Sequence, residues 1–388
     1  MGIRNGRSPA LTGKERQRDL KVLNVAETIK GGVATYLAGL EAGQAALGWE
    51  CAYLIPGAQS ESLKAERVFA HDGSRSPAGL LRLAIRTIAM QKRYRADVVF
   101  AHSSFAGAAL CLARPFLGRG VKTLYCPHGW AMFREMAGWK RSLIGLIERS
   151  MSFVPTRVIN ISQFEHDTVL ARGFAKRCVL IPNAVADVSD RRIIGSSESG
   201  RLRVLFVGRF DRQKGLDTLI EAIRLLDRDR VNRLHFDLVG ESVLGDGTHA
   251  VGDLLPHVTR HGWLTGKALQ ERYAEADILV MPSRWEGFGL CAIEALRAGT
   301  PVLARRVGAL SEIVTHGVDG FLFDGGAKEL RDALMNLDAA QLQAMRVAAR
   351  MTFESRYRLD RLHRQYREMF ARLGTAVSVD SARGRAPW

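Results

Sequence analysis

From residue 21 onward, short apolar runs alternate with longer amphipathic stretches, and the pattern runs through twice. Lys21 to Ala26 (KVLNVA) is followed by Gly31-Gly32 and an apolar-periodic stretch from Val33 to Leu47, which predicts strand, glycine turn and helix. Similar runs recur at Cys51 to Ile55, Asp97 to Ala101, Thr123 to Cys126, Arg157 to Ile161 and Cys178 to Ile181. Strands covered by helices on both faces read as continuous apolar runs, so the expected fold is α/β with a parallel, doubly wound sheet. Between Asp187 and Gly200 (DVSDRRIIGSSESG) Gly and Ser cluster with little apolar content, as in a linker. The alternation then restarts, with strands expected at Leu202 to Val207, Leu234 to Val239, Asp277 to Met281, Pro301 to Ala304 and Gly320 to Phe323.

A chain of 388 residues exceeds the size at which one hydrophobic core stops growing, which agrees with two domains. The expected organisation is a basic flexible leader over 1–20, a first domain over 21–190, a linker over 191–200, a second domain over 201–350, helices over 351–373 and a flexible tail over 374–388. Parallel sheets bind ligands beyond the carboxyl ends of their strands, so the site is expected in the cleft between the domains.

Net charge narrows the partners. At +16 the chain seeks anions: nucleic acid, an anionic membrane surface or phosphorylated small molecules. The excess lies mainly in the first half, with 26 Lys/Arg against 15 Asp/Glu over residues 1 to 190, or +11, leaving +5 for the remainder. Aromatic residues are only 7% of the chain and no nucleic-acid module is recognisable, so nucleic acid is not an expected partner. The five cysteines, Cys51, Cys111, Cys126, Cys178 and Cys291, form no C-x-x-C pair and read as reduced thiols. With no long apolar segment and no signal-peptide core, a cytoplasmic protein is expected.

The densest chemistry lies at Pro282 to Pro301 (PSRWEGFGLCAIEALRAGTP), after the strand DILVM and opening a helix. Gly287 and Gly289 place Glu286 in the loop and Glu294 within the helix, and glycines at a helix N-terminus let backbone N–H groups approach an anion. The strand LRVLFVG ends on Arg209, followed closely by Lys214, two cations suited to a pyrophosphate. His128, in YCPHGWAMF, follows a strand of the first half, and His102 with Ser103, in FAHSSFAG, follows another. A histidine at a strand end is commonly structural, and each of these also fits a site.

Taken together, VGRFDRQKGLDTLIEA and EGFGLCAIEALRAGTPV resemble the signature of glycosyltransferase family 4, retaining enzymes of the GT-B fold, over roughly residues 21 to 372. The resemblance implies two Rossmann-like doubly wound domains facing each other across a cleft, acceptor side first, with the last helices crossing back to the first domain. It implies transfer of a sugar from a nucleotide diphosphate sugar to a glycan or lipid-linked glycan acceptor, without cofactor or metal. It places Arg209 and Lys214 on the diphosphate, Glu294 on the ribose, and Glu286 with Gly287, Phe288, Gly289 and Leu290 on the donor sugar. Gly31 and Gly32 are further donor-side matches, as are Ser162 and Asn183 to family positions; His128 faces the donor sugar, and His102 with Ser103 belongs to the acceptor side. Catalytic roles are thus expected for His128, Glu286, Arg209 and Lys214.

Two positions depart from the family pattern: Ala184 and Ala309 stand where glycines are usual. Asp227-Arg228-Asp229 matches a metal-binding D-x-D string, but it falls where a helix is expected to end, so no metal site is expected. Leu80 to Arg95 (LLRLAIRTIAMQKRYR) reads as a basic amphipathic helix, which together with Arg4, Arg7, Lys14, Arg16 and Arg18 points to an anionic membrane surface. The expected location is therefore the inner face of the plasma membrane. A glycan phosphorylase would need a pyridoxal-phosphate lysine and a longer chain. A non-catalytic GT-B binding protein should have lost the charged anchors, whereas Arg209, Lys214, Glu286 and Glu294 are all present.

Overall fold

The computed structural model describes residues 19–29, 31–63, 65–188, 200–242 and 256–374. The expected leader, linker and tail therefore lie almost entirely outside the described residues, as do the five leader cations.

The first domain holds strands β1 (Leu20–Ala26), β2 (Trp49–Pro56), β3 (Val68–His71), β4 (Val98–His102), β5 (Lys122–Cys126), β6 (Arg157–Asn160) and β7 (Cys178–Leu180). Its helices are α1 (Gly32–Ala42), α2 (Gln44–Leu47), α3 (Pro77–Tyr94), α4 (Ser104–Ala113), α5 (Gly138–Met151) and α6 (Gln163–Ala171). The strands form one parallel sheet in the order β3-β2-β1-β4-β5-β6-β7. The second domain holds β8 (Leu202–Val207), β9 (Leu234–Val239), β10 (Val258–Gly262), β11 (Ile278–Met281), β12 (Val302–Arg305) and β13 (Gly320–Phe323). Around these lie α7 (Leu216–Arg224), α8 (Arg228–Asn232), α9 (Gly266–Glu275), α10 (Leu290–Arg297), α11 (Leu310–Ile313), α12 (Ala327–Met335), α13 (Ala339–Arg356) and α14 (Leu359–Arg372). Its sheet is also parallel, in the order β10-β9-β8-β11-β12-β13. Each order reverses once, between β1 and β4 and between β8 and β11, and such a reversal opens a crevice at the carboxyl ends of the strands. Two Rossmann-like domains thus face each other across a cleft.

Each of the eleven expected strands is present, three with the expected bounds and the others shifted by a residue or two at one or both ends. The two that were not anticipated, β3 and β10, each form one edge of a sheet. Each buries a single residue, and VFAH and VTRHG offer too short an apolar run to mark a strand. The stretch expected as one helix from Val33 to Leu47 breaks at Gly43, where a Cβ would stand 2.2 Å from the His363 ring of α14. Asp227 and Asp229 do not close a helix, as the D-x-D reading expected. Asp227 caps the start of α8, accepting from Arg230 N at 2.7 Å. Ala184 and Ala309 need no left-handed backbone, since the only non-glycine residues with positive φ among those described are Arg95, Ser103 and His128. Alanine therefore fits at both departures.

Helix α14 returns to the first domain. Leu359 N donates to Val185 O at 3.2 Å, His363 Nε2 bonds Gly39 O at 3.0 Å, and the rings of Tyr366 and Phe370 meet Trp49 edge-on. Its apolar face, Leu362, Tyr366, Met369 and Phe370, is buried, and each such side chain contributes about 1.5–3 kcal/mol. Phe288 of the second domain and Tyr36 of the first belong to one continuous apolar cluster, so the floor of the cleft is shared core.

Candidate active site

Strand β8 delivers its loop into the cleft because it is a central strand of its sheet. Gly215 turns that loop into α7 with φ +71°, and a Cβ there would lie 2.2 Å from Pro282 O, so only glycine lets it pass beneath the β11 loop. Arg284 ties the two loops together, pairing with Asp217 at 2.8 Å and donating to Arg212 O at 2.8 Å, while its backbone N–H donates to Gln213 O. The result is a rigid frame holding Lys214 against Glu286, Nζ to Oε2 2.6 Å. Burial opposes the Lys214 charge, yet the Glu286 carboxylate outweighs it and holds the ammonium above its ordinary range. Arg209 stands nearer solvent, bonded to Gln213 Oε1 at 2.8 Å and paired with Asp211 at 3.1 Å.

Glu286 lies in the loop and Glu294 inside α10, as Gly287 and Gly289 suggested. Glu294 accepts from Tyr273 OH at 2.9 Å, and burial raises its pKa. Gly289, at φ +102°, opens α10 and leaves no room for a Cβ against Leu310. The Phe288 side chain turns into the core against Tyr357, so only its backbone faces the cleft. Leu290 reaches the opposite domain, where a Cβ on Gly32 would stand 2.9 Å from its Cδ1. Gly31, at φ +67°, has open space where its Cβ would be.

From the first domain, His128 follows the end of β5 by two residues at a φ of +53°, its ring edge-on to Tyr36. Its Nε2 lies 3.0 Å from His102 Nδ1, and His102 Nε2 lies 3.0 Å from Asn24 Oδ1. Asn24 Oδ1 accepts from His102 Nε2–H, so the neutral His102 ring accepts at Nδ1 and His128 donates from Nε2. His128 keeps Nδ1 as a free acceptor. Burial drives the His128 pKa down to about 3, and burial with His128 as neighbour lowers that of His102 as well. His102 is wholly buried, so it holds His128 rather than meeting an acceptor from solvent. Ser103 caps α4 and donates to Glu27, which also pairs with Arg75.

The two halves touch across the cleft. A Cβ on Gly287 would lie 2.9 Å from Gly129 Cα and 3.2 Å from Glu165 Oε1. Glu312, at α11, accepts from the N–H groups of Gln163 and Phe164 that open α6, at 3.0 and 2.8 Å. Arg212 makes two 3.0 Å bonds to Glu135. Sequence reasoning missed Asn24, Glu27, Glu165 and Glu312. Asn24 had a signal, as the one polar residue in the run Val22 to Ala26; Glu165 had one as the fourth residue of Ser162-x-x-Glu165, a helix-start pattern. Among the described residues, no group of three or more His, Cys, Asp or Glu side chains is placed to hold a metal ion.

Two doubly wound domains with a cationic loop and a glycine-opened helix facing a histidine across the cleft define a GT-B protein. Residues 201–339 match the model for "Glycosyl transferases group 1" and residues 31–184 that for "Glycosyl transferase 4-like domain". A "41.2 kDa protein in cps region" of Klebsiella pneumoniae is 32% identical over 78% of this chain and 86% of its own. A D-inositol 3-phosphate glycosyltransferase of Thermobispora bispora is 32% identical over 76% of each chain. Among solved structures, sucrose-phosphate synthase from Thermosynechococcus elongatus superposes with a TM-score of 0.76 at 21% identity, covering 92% of this chain and 99% of that one. Anabaena Alr3699/HepE in complex with UDP superposes with a TM-score of 0.73 at 18% identity, covering 91% and 100%. The chain belongs to this glycosyltransferase family.

Proposed function

We propose that the chain is a retaining glycosyltransferase that moves a hexose-type sugar from a nucleotide diphosphate sugar to a membrane-anchored or polysaccharide-precursor glycan. The donor half is read as residues 201–350 and the acceptor half as 21–190. A UDP-sugar is favoured and GDP-mannose is the alternative; the UDP bound by Alr3699/HepE supports the former. The Klebsiella relative in a cps region supports an acceptor in bacterial exopolysaccharide, capsule or O-antigen synthesis.

The observation that carries this reading is the Lys214–Glu286 pair, 2.6 Å apart, with Arg209 beside it and the opening of α10 behind it. Lys214 and Arg209 neutralise the diphosphate, and the backbone N–H groups from Gly287 to Leu290 add donors where charge grows on departure. Glu294 takes the ribose hydroxyls. Glu286 binds the sugar, and His128 Nδ1 accepts from a sugar hydroxyl. Glu286 is paired with Lys214 and Glu165 is buried with its pKa raised, so neither is assigned as a nucleophile and the transfer is assigned to front-face displacement. The acceptor oxygen bonds to the anomeric carbon on the face from which the diphosphate oxygen departs, and that oxygen takes the acceptor proton. Arg209 and Lys214 carry the phosphate charge without a metal.

Thermal melting with UDP, GDP and their sugars tests the reading, since a ligand at 100 times its dissociation constant stabilises by about 2.7 kcal/mol. A shift with UDP alone, and release of UDP from a UDP-sugar, is the expected result. No shift with either nucleotide would overturn it.

A further inference from the structure

Helix α5 is built inside out. Trp139, Leu143, Leu146 and Ile147 fall on one face by their spacing, and all four are half or more exposed, Trp139 by 67%. The buried residues of this helix are Glu148 and Met151. Glu148 is the only acid of α5, and it accepts from Ser104 Oγ, Ala131 N and Met132 N in the interior. An exposed apolar stripe of this kind marks an interaction surface.

The charge around the stripe identifies what it meets. At 100° per residue, Lys140 and Arg149 border it on either side, with the Lys140 ammonium 5.5 Å from the Trp139 ring centre. Beyond Arg149 runs a groove of about 400 Å³ lined by Arg141, Arg149, Arg172 and the apolar side chains of Leu146 and Phe174. Past the end of α5, exposed Phe153 and Val154 border a second hollow of about 940 Å³, which holds Arg114, Arg157, Lys176, Arg177 and Arg372 against one carboxylate, Glu368. None of these five cations has an ion pair among the described residues. The exposed acid nearest α5 in sequence, Glu135, is bound by Arg212. An apolar stripe bordered by unpaired cations fits an anionic lipid surface. A second copy of this chain would set the same cations against each other.

We propose that the α5 face docks the protein on an anionic bilayer, with Trp139, Leu143, Leu146 and Ile147 entering the boundary between headgroups and acyl chains. Its purpose rests on the reading of a membrane-anchored acceptor. Helix α5 follows the His128 loop, and Glu135, three residues before its start, bonds across the cleft to Arg212, so docking brings the cleft rim to the lipid surface. The sequence pointed instead to α3. There Leu83 and Ala84 face the core and Arg82 pairs with Asp72 at 2.8 Å, although Leu81 and Ile85 remain exposed.

The test is co-sedimentation of the full chain with vesicles of phosphatidylcholine alone and with phosphatidylglycerol added. Binding to the anionic vesicles is expected, weakened roughly tenfold or more in Trp139→Ser/Leu143→Ser and about unchanged in Leu81→Ser/Ile85→Ser. Hydrolysis of a UDP-sugar in solution should match wild type in both variants, showing that they fold. Equal binding by the α5 variant, loss only in the α3 variant, no preference for anionic vesicles, or a dimer that the α5 variant splits would each overturn the proposal. Vesicle binding without any nucleotide release would fault the donor reading and leave the docking surface standing.

Discussion

Lys214 and Glu286 come from loops on adjacent strands of the second sheet and meet as an ion pair at 2.6 Å, largely shielded from water. Each thereby neutralises the other until a ligand arrives. On the proposed reading, a diphosphate beside Lys214 and a sugar hydroxyl on Glu286 would share the pair rather than break it, and without them neither charge is buried unpaired.

Lys214→Ala removes one half of that pair. Turnover should fall about 10²- to 10³-fold, as for loss of a preorganised charge at a leaving group, and the melting temperature should fall because Glu286 is left buried alone. Adding Glu286→Gln should restore the melting temperature but not turnover. Nucleotide release and calorimetry read the two effects, and near-normal turnover in Lys214→Ala would refute the diphosphate role.

Protonation of His128 should play no part in turnover near neutrality, because its pKa lies at about 3. The pH profile of kcat/KM should show no limb between pH 5 and 7 that vanishes in His128→Asn. Stability should respond differently. The pKa is lower folded than unfolded, so the contribution is complete above about pH 6.5 and is lost as pH falls toward 3, by at most about 1.4 kcal/mol per pH unit. His128→Asn should flatten the fall in melting temperature over that window.

Glu165 has the opposite sign. It is buried, Oε1 lacks a hydrogen-bond partner, and burial raises its pKa to about 8. Its folded pKa exceeds the unfolded value, so its contribution is complete below about pH 4.3 and drains away as pH rises through 8. Glu165→Gln should therefore raise the melting temperature at pH 8.5, by roughly 2 °C or more, and gain little at pH 4.5. Equal gains at both values would show that the carboxyl is not titrating there.

Glu312 caps a helix of the other domain. Glu312→Ala frees the N–H groups of Gln163 and Phe164, which should cost about 1 kcal/mol of stability. Small-angle scattering should show a more open average shape, and an unchanged profile would mean that this contact does not help close the cleft.

A Cβ at Gly308 would stand 2.1 Å from Glu286 O, at φ +52°. Gly308→Ala should displace the Glu286 loop and weaken nucleotide-sugar binding roughly tenfold, with the sheet intact by circular dichroism. Titration calorimetry reads the loss.

Both domains, their order, the loops carrying Arg209, Lys214 and Glu286 and the helix carrying Glu294 were legible from residue pattern, because buried parallel strands must be apolar and the glycines mark where a loop turns into a helix. Strands β3 and β10 were not, since VFAH has only three apolar residues in a row and VTRHG only one. The site needed more. His102 at the end of an apolar strand reads equally as ligand or core residue, and only the fold sets it between Asn24 and His128 as an inward relay. Likewise LLRLAIRTIAMQKRYR and GWKRSLIGLIERSM are both basic and amphipathic. A pattern shows that a helix has an apolar face, but which face meets the core depends on neighbours from distant parts of the chain. In α3 Leu83 and Ala84 are covered while Leu81 and Ile85 stay out; in α5 the interior claims Glu148, and the whole apolar stripe is left outside.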